Sequence, residues 1–166
     1  LARLEVGAWF APRFAGEPIP SLAQVLDLTR GRVGLNVELK RHGHERRLVE
    51  ASVALLQAAD LGPDCLVTCT DLGTLRRVKA LAPGLRVGWV CNTDPGDPAG
   101  LRLDALSLHL SLATPHRIRA CQAARVQTHV WTVNDPADMA RLVGLGVTSI
   151  ITDTPAVLRR LLAAGV

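Results

Sequence analysis

Residues 65–90 of this 166-residue chain have the sequence CLVTCTDLGTLRRVKALAPGLRVGWV. The apolar segment Cys65–Cys69 comes first, and Asp71 then stands where its side chain can cap a helix. Pro83-Gly84 ends that helix, and a second apolar segment follows at once at residues 85–90. A strand, a capped helix and another strand with short connections predict one βα unit of a parallel sheet.

The same alternation extends along the chain in both directions. Strands are predicted at residues 33–39, 65–69, 85–90, 105–110, 126–133 and 147–151. Helices are predicted at 21–30, 45–60, 71–81 and 154–164, and after Thr114-Pro115 and Asp135-Pro136. The strands are largely apolar on both faces, which is typical of a parallel sheet covered by helices. Doubly wound sheets and TIM-type barrels both have this pattern.

Length narrows the choice. The chain, residues 1–166, suits a single domain, whereas a complete eight-unit barrel typically needs about 250 residues. No strand is followed by a GxGxxG or a GxxxxGK[ST] segment, so the common nucleotide-binding folds lose support. The prediction is an α/β fold, a parallel (β/α) TIM-type barrel that is incomplete, with about six of its eight βα units.

Composition excludes several classes of partner. The net charge is +4, but the arginines are spread along predicted helices and only 3% of residues are aromatic, so nucleic-acid binding is not expected. No apolar run approaches the roughly 18 residues of a membrane helix. The four cysteines form no CxxC pattern, and we expect them to be buried free thiols in a reducing, cytoplasmic compartment: Cys65, Cys69, Cys91 and Cys121.

The end of the first predicted strand carries a carboxylate and an ammonium group. Alternation along a strand sends Glu38 and Lys40 to the same side, at the end where barrel enzymes place their active sites. A carboxylate can bind Mg²⁺ or Ca²⁺, and a lysine can offer its charge to a phosphate oxygen. An ordinary ion pair at a strand end is the alternative.

Three other segments have a structural and a functional interpretation. Trp131 is either a core residue or an apolar wall at the barrel mouth. Asp153 precedes the last helix, where an N-cap role explains it. Residues 41–46, RHGHER, contain the R-H-G-x-x-R pattern of histidine phosphatases, and His42 and His44 could also bind a metal. No second phosphatase histidine with a supporting motif follows.

Taken in order, four motifs resemble the glycerophosphodiester phosphodiesterase family. Each one is modest alone, but together they keep the order and spacing of the family across almost the whole chain. They are GAWF through FAGE and IPSL in residues 7–22, GLNVELK at 34–40, VWTVN at 130–134 and GVTSIITDTP at 146–155.

The resemblance implies roles for four residues. Glu38 is similar to one of three acidic ligands of a divalent cation, Mg²⁺ or Ca²⁺, and Lys40 to a residue near the substrate phosphate. Trp131 would line the pocket for the alcohol portion of the substrate, and His109, at a strand end, would also face it. The implied reaction is the metal-assisted hydrolysis of a small-molecule glycerophosphodiester to glycerol 3-phosphate and an alcohol, within lipid and glycerol metabolism.

The catalytic histidines of the family have no counterpart in this sequence. The family's first two βα units contain HRG, ENT, E-x-D and HD segments, and none occurs here. General acid/base histidines and the other metal ligands would therefore lie outside this chain, so the chain alone should bind a cation weakly or not at all and hydrolyse little. The alternative is a non-catalytic barrel remnant, a binding or assembly module that forms homo-oligomers through its exposed sheet edges.

Overall fold

A computed structural model describes residues 4–43 and 45–165. Within them, six strands form one sheet in which each strand pairs in parallel with the next along the chain. The strands are β1 (Leu35–Glu38), β2 (Cys65–Cys69), β3 (Arg86–Cys91), β4 (Ala105–His109), β5 (Gln127–Trp131) and β6 (Ser149–Ile150). This order gives a curled half-barrel, and the predicted incomplete TIM-type barrel is confirmed.

Six α-helices lie among the described residues, and the sequence explains where most of them begin. They are α1 (Leu22–Thr29), α2 (Leu48–Ala59), α3 (Leu72–Leu81), α4 (Pro115–Ala123), α5 (Pro136–Gly144) and α6 (Pro155–Ala163). Ser21 and Gln24 form a reciprocal capping box at the start of α1. Helices α3, α4 and α5 each begin after a residue whose side chain accepts hydrogen bonds from the first backbone N–H groups, namely Asp71, Thr114 and Asp135. A short 3-10 turn, Pro98–Gly100, replaces a helix after β3.

The core lies between the outer face of the sheet and the helices. One cluster joins Val67 of β2 to Leu75 and Val78 of α3, all at most 1% exposed. A second cluster joins Leu106 of β4 to Ile118 of α4, both fully buried. Burying these side chains stabilises each helix against the sheet by roughly 25 cal/mol per Å² of apolar surface.

The inner face of the sheet differs from the prediction that both faces are apolar. Asn36 and Glu38 of β1 are exposed on this face, and Ser107 of β4 stands opposite His129 of β5 in the register. The apolar residues of these strands instead alternate toward the helices. A parallel strand can carry polar side chains on one face when that face lines a cleft rather than a covered core.

Several predicted boundaries were too long. The first strand begins at Leu35 rather than at residue 33, and Val33 is 60% exposed. The fifth strand ends at Trp131, and β6 has two residues instead of the expected five. Helix α2 begins at Leu48 rather than at residue 45. Val33 and Val133 are apolar although they lie outside their strands, so composition alone overestimates strand length. Residues 45–47 are instead charged, and they precede helix α2 rather than begin it.

Candidate active site

A cleft opens at the carboxyl ends of the strands, on the inner face of the half-barrel. Its volume is about 350 Å³. We call it the mouth cleft, and its lining residues are Asn36, Glu38, Lys40, Thr68, Thr70, Val90, Ser107, Trp131, Thr132 and Ile151. Three of the four predicted site residues therefore line one cleft: Glu38 at the end of β1, Lys40 just beyond it and Trp131 at the end of β5.

Glu38 and Lys40 form an ion pair within the mouth cleft. The Lys40 Nζ lies 3.7 Å from Glu38 Oε2, and the side chains are 69% and 38% exposed respectively. An exposed pair of this kind contributes little to stability because solvent screens it. Both charged groups remain accessible to a ligand, because they are exposed and a ligand has to displace mainly water to reach them.

Asn36 and Thr68 extend the polar wall below this pair. Thr68 Oγ1 donates a hydrogen bond of 2.9 Å to Asn36 Oδ1, and Thr68 is paired with Glu38 in the sheet register. The GLNVELK motif includes Asn36, but no role was predicted for Asn36 or for Thr68. Asn36 could have been found from strand alternation, because it stands two positions before Glu38 and therefore lies on the same face.

Trp131 forms the apolar side of the mouth cleft. Its indole N–H donates a hydrogen bond of 3.0 Å to the Ser107 carbonyl oxygen of the neighbouring strand. The polar atom of the side chain is thus satisfied by the protein, and the ring is held against the sheet. The peptide bond between Trp131 and Thr132 is cis.

His109 lies beside the cleft lining rather than in it. Its ring meets the Trp131 ring edge-on, with centroids 5.1 Å apart. His109 Nδ1 is 2.8 Å from Ser111 Oγ and also accepts a hydrogen bond of 3.3 Å from the Ser111 N–H. Because Nδ1 acts as an acceptor, the neutral ring carries its proton on Nε2. Since His109 contacts Trp131 but does not line the cleft, it can affect the predicted alcohol pocket only through Trp131.

Asp153 does not have its predicted N-cap role. The N-cap position of α6 is Thr154, and no side chain caps that helix. The Asp153 carboxylate instead accepts a hydrogen bond of 2.8 Å from Asn134 Nδ2. Two loops at the barrel mouth, after β5 and after β6, are joined by this contact.

A second polar layer lies deeper on the inner face. His129 is half-buried, and its Nε2 lies 3.5 Å from Gln127 Oε1. The Arg86 guanidinium donates to the same Gln127 oxygen. Burial lowers the pKa of His129 from its ordinary value, and the positive charge of Arg86 lowers this pKa further.

The RHGHER segment follows β1, as expected, but its residues bind one another and helix α3. The Glu45 carboxylate accepts hydrogen bonds from the backbone N–H groups of His42 and Gly43, at 2.7 and 3.0 Å. Arg41 forms an ion pair of 3.5 Å with Asp71. His44, which the histidine phosphatase and metal hypotheses also use, lies outside the described residues.

The described residues provide only part of a metal site. They contain no group of three His, Cys, Asp or Glu side chains that could hold an ion. Glu38 supplies one carboxylate, and Mg²⁺ or Ca²⁺ requires six or more oxygen ligands. The chemistry of Glu38 therefore fits a single ligand of a hard cation, but not a complete site.

Comparison with known proteins identifies the family. Residues 1–157 match the Glycerophosphoryl diester phosphodiesterase family. The chain belongs to this family. A glycerophosphodiester phosphodiesterase from Caldanaerobacter subterraneus subsp. tengcongensis is 31% identical over 175 residues, which cover 99% of the chain and 70% of that protein. The resemblance found from four motifs is confirmed, and the histidine phosphatase alternative loses its basis.

Solved structures of the family show the same fold. An Oleispira antarctica phosphodiesterase in complex with the product sn-glycerol-3-phosphate superimposes with a TM-score of 0.88 at 25% identity, covering 98% of this chain and 69% of that one. A glycerophosphodiester phosphodiesterase from Parabacteroides distasonis gives a TM-score of 0.80 at 24% identity, with 90% and 66% coverage. The chain thus spans about two thirds of these relatives.

No helix among residues 4–43 and 45–165 is both long enough and apolar enough to cross a membrane.

Proposed function

We propose that this chain provides the phosphate- and alcohol-binding side of an active site that hydrolyses glycerophosphodiesters to glycerol 3-phosphate and an alcohol. One observation carries the proposal: Glu38, Lys40 and Trp131 line the same cleft at the carboxyl ends of the strands. A carboxylate, a cation and an apolar wall match the three parts of the reaction, namely a metal, a phosphate and an alcohol. Membership of the family supports this assignment.

Lys40 would bind the substrate phosphate. Its exposed ammonium group sits beside only one carboxylate in the cleft, so an incoming phosphate can share or replace that contact. The same charge would offset the negative charge that grows on the phosphoryl oxygens during hydrolysis. The complex of the Oleispira antarctica enzyme with sn-glycerol-3-phosphate supports a glycerol phosphate as the ligand class.

Glu38 would be one ligand of a divalent cation, Mg²⁺ or Ca²⁺. A bound cation would polarise the phosphate and help to activate the attacking oxygen. Because Glu38 is a single carboxylate, the remaining ligands would come from residues outside this chain. The general acid and base would be histidines, also supplied from outside it.

Trp131 would hold the alcohol portion of the substrate, with the His109 ring packed against it. The side chain offers a broad apolar surface whose only polar atom is already bonded to Ser107. Such a wall suits an apolar alcohol or, through a cation–π contact with the indole ring, the quaternary ammonium group of choline. The proposed activity belongs to lipid and glycerol metabolism, and four buried free thiols are compatible with a reducing compartment such as the cytoplasm.

The test compares Lys40→Met with Lys79→Met in the full-length gene product, using glycerophosphocholine as substrate. Lys79 pairs with Asp104 at 3.1 Å and does not line the mouth cleft, so it is a matched control. Loss of Lys40 should lower kcat/KM by about 100-fold, the typical effect of removing one stabilising charge contact. The control should stay within about twofold.

Two outcomes would contradict the assignment. One is equal activity of the Lys40 and Lys79 variants. The other is loss of phosphate release in His42→Ala while Lys40 is dispensable, which would favour the histidine phosphatase hypothesis. Activity should also vanish with a chelator and return with Mg²⁺ or Ca²⁺.

A binding or assembly module is the second candidate, and one observation favours it. Within the described residues, the outer edges of β1 and β6 pair with no other strand. Unpaired edges expose N–H and C=O groups that can pair with another chain. Light scattering of the 166-residue chain would test this: a dimer without hydrolytic activity supports the module, and an active monomer contradicts it.

A further inference from the structure

We propose that Asn134 is a positioning residue that sets the apolar wall of the mouth cleft by joining the loops after β5 and β6. The inference rests on the proposed function for its effect on substrate, but its structural basis is independent. Asn134 lies three residues beyond Trp131 and does not line the cleft itself. It would act through the wall residues Trp131 and Ile151.

The side chain of Asn134 makes three hydrogen bonds to the loop after β6. Its Oδ1 accepts from the Asp153 N–H at 2.9 Å and from Thr152 Oγ1 at 3.0 Å. Its Nδ2 donates to Asp153 Oδ2 at 2.8 Å. All of its hydrogen-bonding capacity except one N–H is directed at two consecutive residues.

These bonds continue the ladder between β5 and β6 beyond the last strand residue. The Ile151 N–H donates to the Val130 carbonyl at 2.8 Å, and the Val133 N–H donates to the Ile151 carbonyl at 2.9 Å. The next rung is made by the Asn134 side chain, whose amide takes the place of a backbone peptide group. The ladder thus extends past Trp131 and Ile151, which stand on its two sides and both line the cleft.

Strand β6 depends on this extension because it is short. It contains two residues, and among the described strands it pairs only with β5. Without Asn134, Thr152 and Asp153 would lose three hydrogen bonds, and the two backbone bonds of Ile151 would hold this side of the mouth beside Trp131 less firmly. A hydrogen bond between neutral groups changes an equilibrium by roughly tenfold, and solvent screening gives the exposed bond to the Asp153 carboxylate a similar effect. We therefore expect looser substrate binding rather than unfolding.

The first measurement needs no activity. In ¹H–¹⁵N spectra of the 166-residue chain, Asn134→Ala should shift or broaden the indole signal of Trp131, whose N–H bonds to Ser107. The indole signals of Trp9 and Trp89 should not move. Gln122→Ala is the matched control: this exposed amide donates to the Leu145 and Gly146 carbonyls at the opposite end of β6.

A reciprocal exchange separates positioning from general loss of stability. Asn134→Asp faces one carboxylate with another and removes the donor of the 2.8 Å bond. Adding Asp153→Asn to this variant restores the hydrogen bond in the reverse direction, with the amide at position 153 as donor and the carboxylate at position 134 as acceptor. The double variant should recover the Trp131 signal that the single variant loses.

Kinetics then test the link to the substrate. In the full-length gene product, Asn134→Ala should raise KM for glycerophosphocholine about tenfold and change kcat by no more than about twofold. If the wild type hydrolyses nothing, the proposed function fails while the indole signals still decide the role of Asn134. An unmoved Trp131 signal, an equal effect of Gln122→Ala, or no recovery in the double variant would overturn the inference.

Discussion

The rings of His109 and Trp131 meet edge-on at 77°, with their centroids 5.1 Å apart, across the β4–β5 pair. Register explains the contact, since the two residues are direct neighbours in this parallel ladder. The indole N–H is bonded to the Ser107 carbonyl at the same time. Trp131 is therefore held by a ring contact and by a hydrogen bond, and the half-buried side chain still lines the mouth cleft.

Replacing Trp131 with Leu should weaken substrate binding. Leucine keeps some apolar surface but loses the ring, so we expect KM for glycerophosphocholine to rise about tenfold, the equivalent of about 1.4 kcal/mol. Trp89→Leu is the matched control, because Trp89 is also a strand tryptophan with its N–H on a backbone carbonyl, that of Thr70 at 3.1 Å, but it packs against both core clusters. The control should lose stability and keep its KM. An unchanged KM in the Trp131 variant would contradict the proposal that Trp131 binds the alcohol portion of the substrate.

The single carboxylate of the mouth cleft should bind a divalent cation only weakly. Titration of the 166-residue chain with Ca²⁺, followed by NMR shifts around Glu38, should give a Kd of about 1 mM or weaker. Glu38→Gln should abolish those shifts. Glu50→Gln should not, since Glu50 pairs with Arg77 at 3.1 Å away from the cleft. Tight binding that survives Glu38→Gln would contradict the predicted role of Glu38.

Buried thiols should be unreactive in the folded chain. Cys65, Cys69, Cys91 and Cys121 are all free and at most 3% exposed. Burial raises the pKa of Cys91 to about 12, so almost none of it is thiolate at neutral pH. A thiol reagent such as DTNB should label the chain slowly in buffer and at all four positions in denaturant. Rapid labelling of the folded chain would show that the thiols are exposed.

The sequence predicts the order of strands and helices well because the residues that cap helices and form turns act locally. Asp71, Thr114 and Asp135 each cap the helix they were expected to begin, since a cap requires only a short side chain and two or three following N–H groups. The length of β6 was overestimated, because Val147 and Ile151, on either side of it, are apolar although they lie outside the strand. Strand length depends on hydrogen bonds to a neighbouring strand, whereas the composition of a segment describes that segment alone.

The candidate site was predicted in part. Glu38, Lys40 and Trp131 were found because their motifs are recognisable, and the structure brings them to one cleft. Asn134 and Asp153 lie 19 positions apart, and the hydrogen bond between them depends on how two loops curve at the mouth. Nothing in either local sequence indicates that Asp153 would bond to Asn134 rather than cap the following helix.

The pH dependence of stability should depend on the half-buried His129. An unfolded histidine binds its proton near pH 6.5, whereas burial and the charge of Arg86 lower the pKa of His129 in the folded chain. Below about pH 6.5 the unfolded state therefore binds more protons than the folded state, and the free energy of unfolding falls as pH falls until the folded pKa is passed. Above that pH this histidine has no effect on the slope.

Urea denaturation at about pH 7.5 and pH 5.5 measures the effect. The wild type should lose stability between the two values, and His129→Asn should lose less, because it removes a half-buried imidazole whose pKa the fold lowers. His116→Asn is the control, since His116 is exposed on α4 and should leave the difference unchanged. The comparison uses the change with pH within each variant, so a loss of packing in His129→Asn does not affect it. Equal pH dependence in the wild type and His129→Asn would show that this imidazole is not held neutral by the fold.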